Sequence, residues 1–192
     1  LYGNYEFLLS RCSSKESFDS LVNIFTSWLT STSTNISANP APGNIQGGIL
    51  NSIEKSLGSS LKGGFAPISN VTSYAADLSG LHGLTLSDSP GYDPVSATGQ
   101  VLSGCNILLF STGRGSCFGI EPIPCLKISS NSLLFSKFSS DFDFDASDFI
   151  SNPKLFYELL VLLINTANGQ ESVSETLGYG QDEIIFWLDK TT

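Results

Sequence analysis

The feature that most constrains the fold is a short apolar segment that runs directly into a glycine-rich loop. Asn106 to Phe110 reads as a strand with apolar side chains on both faces, and Ser111 to Gly119 follows it with three glycines. A strand that is apolar on both faces is typical of a parallel sheet that is covered on both sides. Further short strands are predicted at Leu84 to Leu86 and at Cys125 to Ile128.

Helices alternate with these strands along the chain. Apolar residues at helical spacing predict a helix over Ser13 to Leu29, with Ser13 or Ser14 as its N-cap. Further helices are predicted at Ser52 to Lys62, Pro94 to Leu102, Asn131 to Phe138 and Pro153 to Asn168. The alternation indicates an α/β layered fold, with a mostly parallel sheet flanked by helices.

A polar segment marks the one predicted domain boundary. Residues Ser31 to Gly48 are rich in Ser, Thr, Asn, Pro and Gly, so we expect a loop or linker without regular structure. We divide the chain into an N-terminal helix and linker (residues 1–38) and an α/β domain (residues 39–192). Because the chain starts at Leu1 and contains no methionine, we interpret it as a fragment or a processed product.

Charge and hydropathy exclude several classes of function. The net charge is −9 with only two arginines, and such a chain repels nucleic acid and anionic membranes. No apolar run approaches the roughly 20 residues that cross a bilayer. The four cysteines show no disulfide-framework spacing. We therefore expect a soluble protein of the cytoplasm with free thiols and a small-molecule ligand.

The first candidate site is the turn Asp88 to Pro94, which follows a predicted strand. Ligands of open α/β sheets bind beyond the carboxyl ends of the strands. Asp88 and Asp93 lie five residues apart around a Pro-Gly turn and could converge on one hard metal ion. Asp93 also suits the N-cap of the next helix, so a structural role is the alternative for this residue.

The second candidate site is the glycine-rich loop itself. Its glycines allow a ligand to approach the backbone closely, and consecutive N–H groups can cradle an anion. Arg114, one of two arginines in the chain, adds a bidentate partner for a carboxylate or phosphate. The loop matches neither the Walker nor the dinucleotide-binding pattern. A surface turn with a solvated arginine is the alternative.

Three further polar features carry weaker signals. Lys55, beside Glu54, could transfer a proton next to a carboxylate, although an adjacent charged pair on a helix is commonly a solvated face. His82 is the only histidine, which excludes a histidine-rich metal site. The alternation of aspartate and phenylalanine from Asp141 to Phe149 predicts an acidic turn that is anchored by aromatic rings.

Together these segments resemble the C-terminal domain of the altronate/galactarate dehydratase family, which also includes a sulfolactate sulfo-lyase. The longest similar stretch is Leu108 to Ser116. The other similar segments are Asn39 to Gly48, Glu54 to Gly58, Lys62 to Gly64, Ala66 to Ile68, Asp88 to Pro94, Ala97 to Gly99, Phe118 to Gly119, Pro122 to Pro124, Leu177 to Glu183 and Trp187. The similarity thus covers about Asn39 to Trp187, in several ordered motifs.

The resemblance implies an unusual Rossmann-like fold and the removal of water from an aldonic or aldaric acid, which gives a 2-keto-3-deoxy acid. It also implies iron(II) or another divalent metal (manganese, magnesium or calcium). We further expect a homo-oligomer. On this basis Asp88 and Asp93 are predicted metal ligands, and Lys55 and Arg114 are predicted catalytic residues. The predicted substrate contacts are Thr112, Gly113, Gly115 and Ser116.

Departures from the family pattern keep two alternatives open. Leu50-Asn51 stands where the family has a Thr-Thr or similar pair, and Ile53 replaces a glutamate of a Glu-Glu-Lys run. The family's Asp-Met-Asp-Ile-Asn-Ala-Gly is replaced by Asp141 to Ser147. Family members are also longer, so the missing upstream catalytic portion or another chain would complete the site. The alternatives are a non-catalytic structural or interaction subunit, and a domain that binds a small molecule without turnover.

Overall fold

The computed structural model describes residues 4–31 and 42–186, which fall into two compact units. The first unit contains residues 4–31 and 42–92, and the second is Asp93–Phe186. Both contain strands that pair in parallel, together with helices, so the predicted α/β class is confirmed. The predicted boundary at residue 38 lies outside the described residues.

The first unit builds a two-stranded parallel sheet with helices around it. Its elements are α1 (Tyr5–Leu9), α2 (Lys15–Ser31), α3 (Pro42–Gln46), α4 (Ser52–Lys62), β1 (Ile68–Thr72) and β2 (Leu84–Ser87). Leu8, Leu21 and Ile68 form its buried core, because α1, α2 and β1 each direct an apolar side chain inward. The predicted cap of α2 is Ser14, whose Oγ accepts a hydrogen bond from the backbone N–H of Ser17 at 3.1 Å.

Three elements of the first unit are absent from the sequence-based prediction: α1, α3 and β1. Helix α3 occupies Pro42–Gln46, so the prediction that Ser31 to Gly48 contains no regular element is wrong for these five residues. Proline is favoured at the first position of a helix because its fixed φ suits the helix and its missing N–H is not needed there. A composition rich in Pro and Gly therefore does not exclude a single helical turn.

The second unit contains a three-stranded sheet whose strands are all parallel. Its elements are α5 (Asp93–Leu102), β3 (Leu108–Thr112), β4 (Cys125–Ser129), α6 (Ser132–Lys137), a 3-10 turn (Ser139–Asp141), β5 (Phe144–Asp145), α7 (Lys154–Ala167) and α8 (Val173–Thr176). The strand order is β3-β4-β5, so β4 is the central strand. The buried core of this unit lies around Leu108, Phe118 and Ile120.

The strand that is buried on both faces is β4, and the prediction of this property for the preceding strand is wrong. All five residues of β4 are buried, whereas Leu109 in β3 is 49% exposed. The reason is position in the sheet, because β3 is an edge strand and β4 has a neighbour on each side. Strand β3 also begins at Leu108 and continues through Thr112, a residue that the sequence assigned to the loop.

Helix α7 has an apolar surface that the described residues leave uncovered. Of its 14 residues only Thr166 is buried. Phe156, Tyr157 and Val161 are 59%, 68% and 56% exposed. Such a surface is typical of a contact site for another protein surface. Within the described part of the chain, no helix combines the length and apolar character that a bilayer span requires.

Candidate functional site

The glycine-rich loop begins where β3 ends. Thr112, the last residue of the strand, uses its Oγ1 to accept hydrogen bonds from the backbone N–H groups of Arg114 and Gly115, each at 3.2 Å. Gly115 has a φ of +89°, a left-handed conformation that favours glycine. Further along the loop, the N–H of Phe118 donates to Ser116 Oγ at 3.1 Å. The loop therefore turns sharply and closes on itself.

Asn131 fixes this loop to the turn that precedes α6. Its Oδ1 accepts hydrogen bonds from the N–H groups of Leu133 and Leu134 at 3.0 and 3.3 Å, which caps the helix. Its Nδ2 donates to the carbonyl oxygen of Gly113 at 3.3 Å. The sequence placed Asn131 inside the helix and missed this role. The signal was present, because asparagine directly before an apolar helix is a preferred N-cap.

The structure thus gathers the five predicted loop residues at the carboxyl edge of β3. Two of the N–H groups that were expected to cradle an anion are already bonded to Thr112. The exposed guanidinium of Arg114 is therefore the group of this loop that is best able to meet an anionic ligand. The roles of Thr112, Gly113, Arg114, Gly115 and Ser116 in substrate binding stay predictions.

The two predicted metal ligands belong to different units. Asp88 directly follows β2 and is half-buried, and its Oδ1 accepts a hydrogen bond from Trp28 Nε1 at 2.6 Å. Asp93 begins α5 in the second unit and is exposed. An acidic residue in the first turn of a helix is favoured by the helix dipole, which suits the structural alternative. Convergence of the two aspartates on one cation stays a prediction.

Lys55 lies half-buried on α4, whose N-cap is Asn51. Asn51 Oδ1 accepts a hydrogen bond from the N–H of Glu54, and Glu54 Oε2 accepts one from the N–H of Leu50, both at 2.9 Å. Glu54 therefore stabilises the start of the helix. The catalytic role of Lys55 stays a prediction.

The described residues do not by themselves form a metal site. Across residues 4–31 and 42–186, no three or more His, Cys, Asp or Glu side chains group closely enough to hold a metal ion. Asp88 already commits one carboxylate oxygen to Trp28. Asp88 and Asp93 would therefore be part of a ligand set that water or other groups complete, as is usual for hard cations.

A polar cluster beside β4 was not predicted from the sequence. Asp143 Oδ2 accepts a hydrogen bond from the N–H of Lys127, and its Oδ1 accepts one from the N–H of Val173, both at 2.7 Å. Ser174 Oγ donates to the carbonyl oxygen of Cys125 at 2.9 Å. Burial raises the pKa of the Cys125 thiol to about 12; the charge of Lys127 opposes this rise, and the carboxylates of Asp143 and Glu175 add to it.

Comparison with known proteins gives a match over the entire chain. The profile of the family described as D-galactarate/altronate dehydratase, C-terminal, matches residues 1–192. The altronate dehydratase of Escherichia coli strain K12 is 34% identical over 181 residues, which cover 91% of this chain and 36% of the relative. The altronate dehydratase of Bacillus subtilis strain 168 is 32% identical over 177 residues, which cover 88% and 35%.

A third relative has a related activity in its name. The galactarate dehydratase (L-threo-forming) of Escherichia coli strain K12 is 32% identical over 142 residues, which cover 72% of this chain and 27% of the relative. The chain therefore spans about a third of the length of these curated relatives.

Proposed function

The chain belongs to the D-galactarate/altronate dehydratase family, and on this premise we propose that it is the C-terminal catalytic portion of a sugar-acid dehydratase. Its reaction would remove water from an altronate- or galactarate-type acid and give a 2-keto-3-deoxy acid. The observation that carries this proposal is the family match over residues 1–192, which includes the loop that contains Arg114.

The chemistry of the loop supports this proposal. In a dehydration of this type, the proton next to the carboxylate leaves, negative charge builds up on the carboxylate side, and the β-hydroxyl departs as water. A guanidinium fits a carboxylate with two parallel hydrogen bonds, so Arg114 would hold the substrate by this group. Lys55 is our candidate for the acid or base.

A divalent metal, with iron(II) as the first candidate, is part of the proposal. Manganese, magnesium and calcium are the alternatives. Asp88 and Asp93 are the candidate ligands from this chain, and the further ligands would come from outside the described residues. When bound, the metal would polarise the substrate carboxylate and acidify the proton next to it.

The proposed partners are a sugar acid and a second protein surface. The second surface would be the upstream catalytic portion found in longer relatives, or another copy of the chain in a homo-oligomer. The uncovered apolar side of α7, with Phe156, Tyr157 and Val161, supports such a contact. Four free cysteines, all within the described part, are compatible with a reducing compartment, and we propose the cytoplasm.

A second candidate function is an interaction subunit without catalysis. Leu50 and Ile53 stand where the resemblance leads us to expect polar residues, and they are 76% and 63% exposed. Exposed apolar side chains in place of polar ones suit a protein contact better than a sugar-acid site.

Turnover distinguishes the two candidates. The chain is incubated with altronate or galactarate and iron(II) under reducing conditions, with the upstream portion supplied, and the keto-deoxy acid is measured. We expect turnover that Arg114→Ala lowers by about 100-fold or more, because a charge-assisted bidentate contact is lost. Lys137→Ala, which removes an exposed cation from α6, is the control and should keep wild-type turnover. Complete inactivity of the wild-type assembly would favour the interaction subunit.

A further inference from the structure

Lys127 is the largest side chain in the described structure that has no exposed surface. It is the third residue of the central strand β4, between Phe110 of β3 and Asp143, which precedes β5. Its Nζ has no hydrogen-bond partner among the described residues. An ammonium group with three unpaired N–H donors in a protein interior strongly opposes folding. A lysine in this position therefore calls for a functional reason.

The nearby carboxylates accept hydrogen bonds from other donors instead of from this cation. Both carboxylate oxygens of Asp143 accept hydrogen bonds from N–H groups. Glu175 Oε2 accepts hydrogen bonds from the N–H and the Oγ of Ser172, both at 2.7 Å. Neither carboxylate bonds to Nζ of Lys127. The cation thus keeps its capacity to bind an oxygen anion.

An aromatic ring covers this cation. Nζ of Lys127 lies 4.9 Å from the centroid of the Tyr179 ring, a distance at which the ring face attracts the charge. The ring offers no lone pair in the direction of the N–H donors. Tyr179 stands between Gly178 and Gly180, whose φ values are +71° and +108°. Gly180 is tightly seated, because a Cβ there would lie 2.6 Å from the N of Ile120, whereas Gly178 has open space around it.

We infer that Lys127 is a binding site for a carboxylate group, which takes the face of Nζ that the Tyr179 ring covers in this structure. The ammonium would donate hydrogen bonds to the carboxylate oxygens. In an interior of low dielectric such a cation stabilises a developing negative charge much more than a solvated lysine does. The inference rests on the proposed function only for the identity of this carboxylate as part of a sugar acid.

A purely structural role for Lys127 makes the opposite prediction about stability. If the Lys127–Tyr179 contact serves mainly to hold residues 173–180 against β4, Lys127→Met should lower the unfolding temperature. If Lys127 serves ligand binding, methionine fills a similar volume without an unpaired ammonium, so the variant should be at least as stable as wild type.

The test uses the 192-residue chain as wild type, as Lys127→Met and as Lys137→Met. Lys137 is exposed at the end of α6, so its substitution makes the same charge change outside the site. Acetate and galactarate are titrated calorimetrically, and thermal unfolding is followed by circular dichroism. We expect Lys127→Met to weaken carboxylate binding at least about tenfold. The Lys137→Met variant should bind within about twofold of wild type.

Two results would overturn the inference: wild-type affinity in Lys127→Met, or a wild-type chain that binds neither carboxylate. If Lys127→Met does not fold, Tyr179→Leu takes its place and should bind carboxylate more tightly, since the cover is removed; unchanged affinity would contradict the inference. Acetate binding that depends on Lys127, without dehydration of galactarate by the completed assembly, would refute the proposed function alone. Dehydration with unchanged affinity in Lys127→Met would refute the inference alone.

Discussion

Asp143→Asn should lower the stability of the second unit by about 2–4 kcal/mol. The Asp143 carboxylate accepts two hydrogen bonds of 2.7 Å, from the backbone N–H groups of Lys127 and Val173. Hydrogen bonds to charged groups contribute about 1.5–3 kcal/mol each. Asparagine keeps one acceptor oxygen but turns an NH2 group toward the other N–H, so one bond is lost and the other is weakened. The loss is a large part of the roughly 5–15 kcal/mol that stabilises a typical domain.

Amide hydrogen exchange followed by NMR is the assay, because it reports on each backbone group separately. The amide protons of Lys127 and Val173 should exchange faster in Asp143→Asn, and urea unfolding should give the lower free energy. Asp141→Asn makes the same charge change two residues away and is the control. A change in unfolding free energy below about 0.5 kcal/mol, with both amides protected as in wild type, would refute the reasoning.

Two further predictions concern the glycine-rich loop and the buried thiol. Asn131→Ala should lower the free energy of unfolding by about 1–2 kcal/mol in urea, since α6 loses its cap. Asn131→Asp should restore most of this loss, and an equal loss in both variants would contradict the capping role. Because the pKa of the Cys125 thiol is raised from 9.0 to about 12 by burial, the folded state holds its proton longer than the unfolded state does. The stabilisation that comes from the protonated Cys125 thiol should therefore be fully present below about pH 9. Above this pH the free energy of unfolding should fall by up to about 1.4 kcal/mol per pH unit, until about pH 12. Cys125→Ala should flatten this slope, whereas Cys117→Ala, at an exposed position, should leave it unchanged.

The elements that could be predicted from the sequence are those with a strong local signal. Helix α4 has the predicted bounds, and α7 differs from its prediction by one residue at each end. Position within the sheet has no local signal. The apolar side chains of β3 and β4 look alike along the chain, and only the pairing order makes β4 central and leaves Leu109 exposed.

In the candidate site, too, only the features with a local sequence signal could be predicted. Glycines and an arginine after a strand predict a ligand loop, but the hydrogen bonds of Thr112 within that loop depend on its three-dimensional path. The bond between Trp28 and Asp88 joins residues 60 positions apart, so no spacing rule reveals it. The alternation of acidic and aromatic residues predicts a turn but does not reveal that Asp143 links β4 to α8.

The contacts of residues 173–180 determine when the second unit can fold during synthesis. The backbone and side chains of this segment bond to Cys125, Asp143 and Glu121, residues that leave the ribosome much earlier. The three parallel strands are therefore translated before the segment that completes their hydrogen bonding. The second unit can close only after this segment has emerged, and a nascent chain that stalls shortly before Val173 would expose the central strand to chaperones and to aggregation.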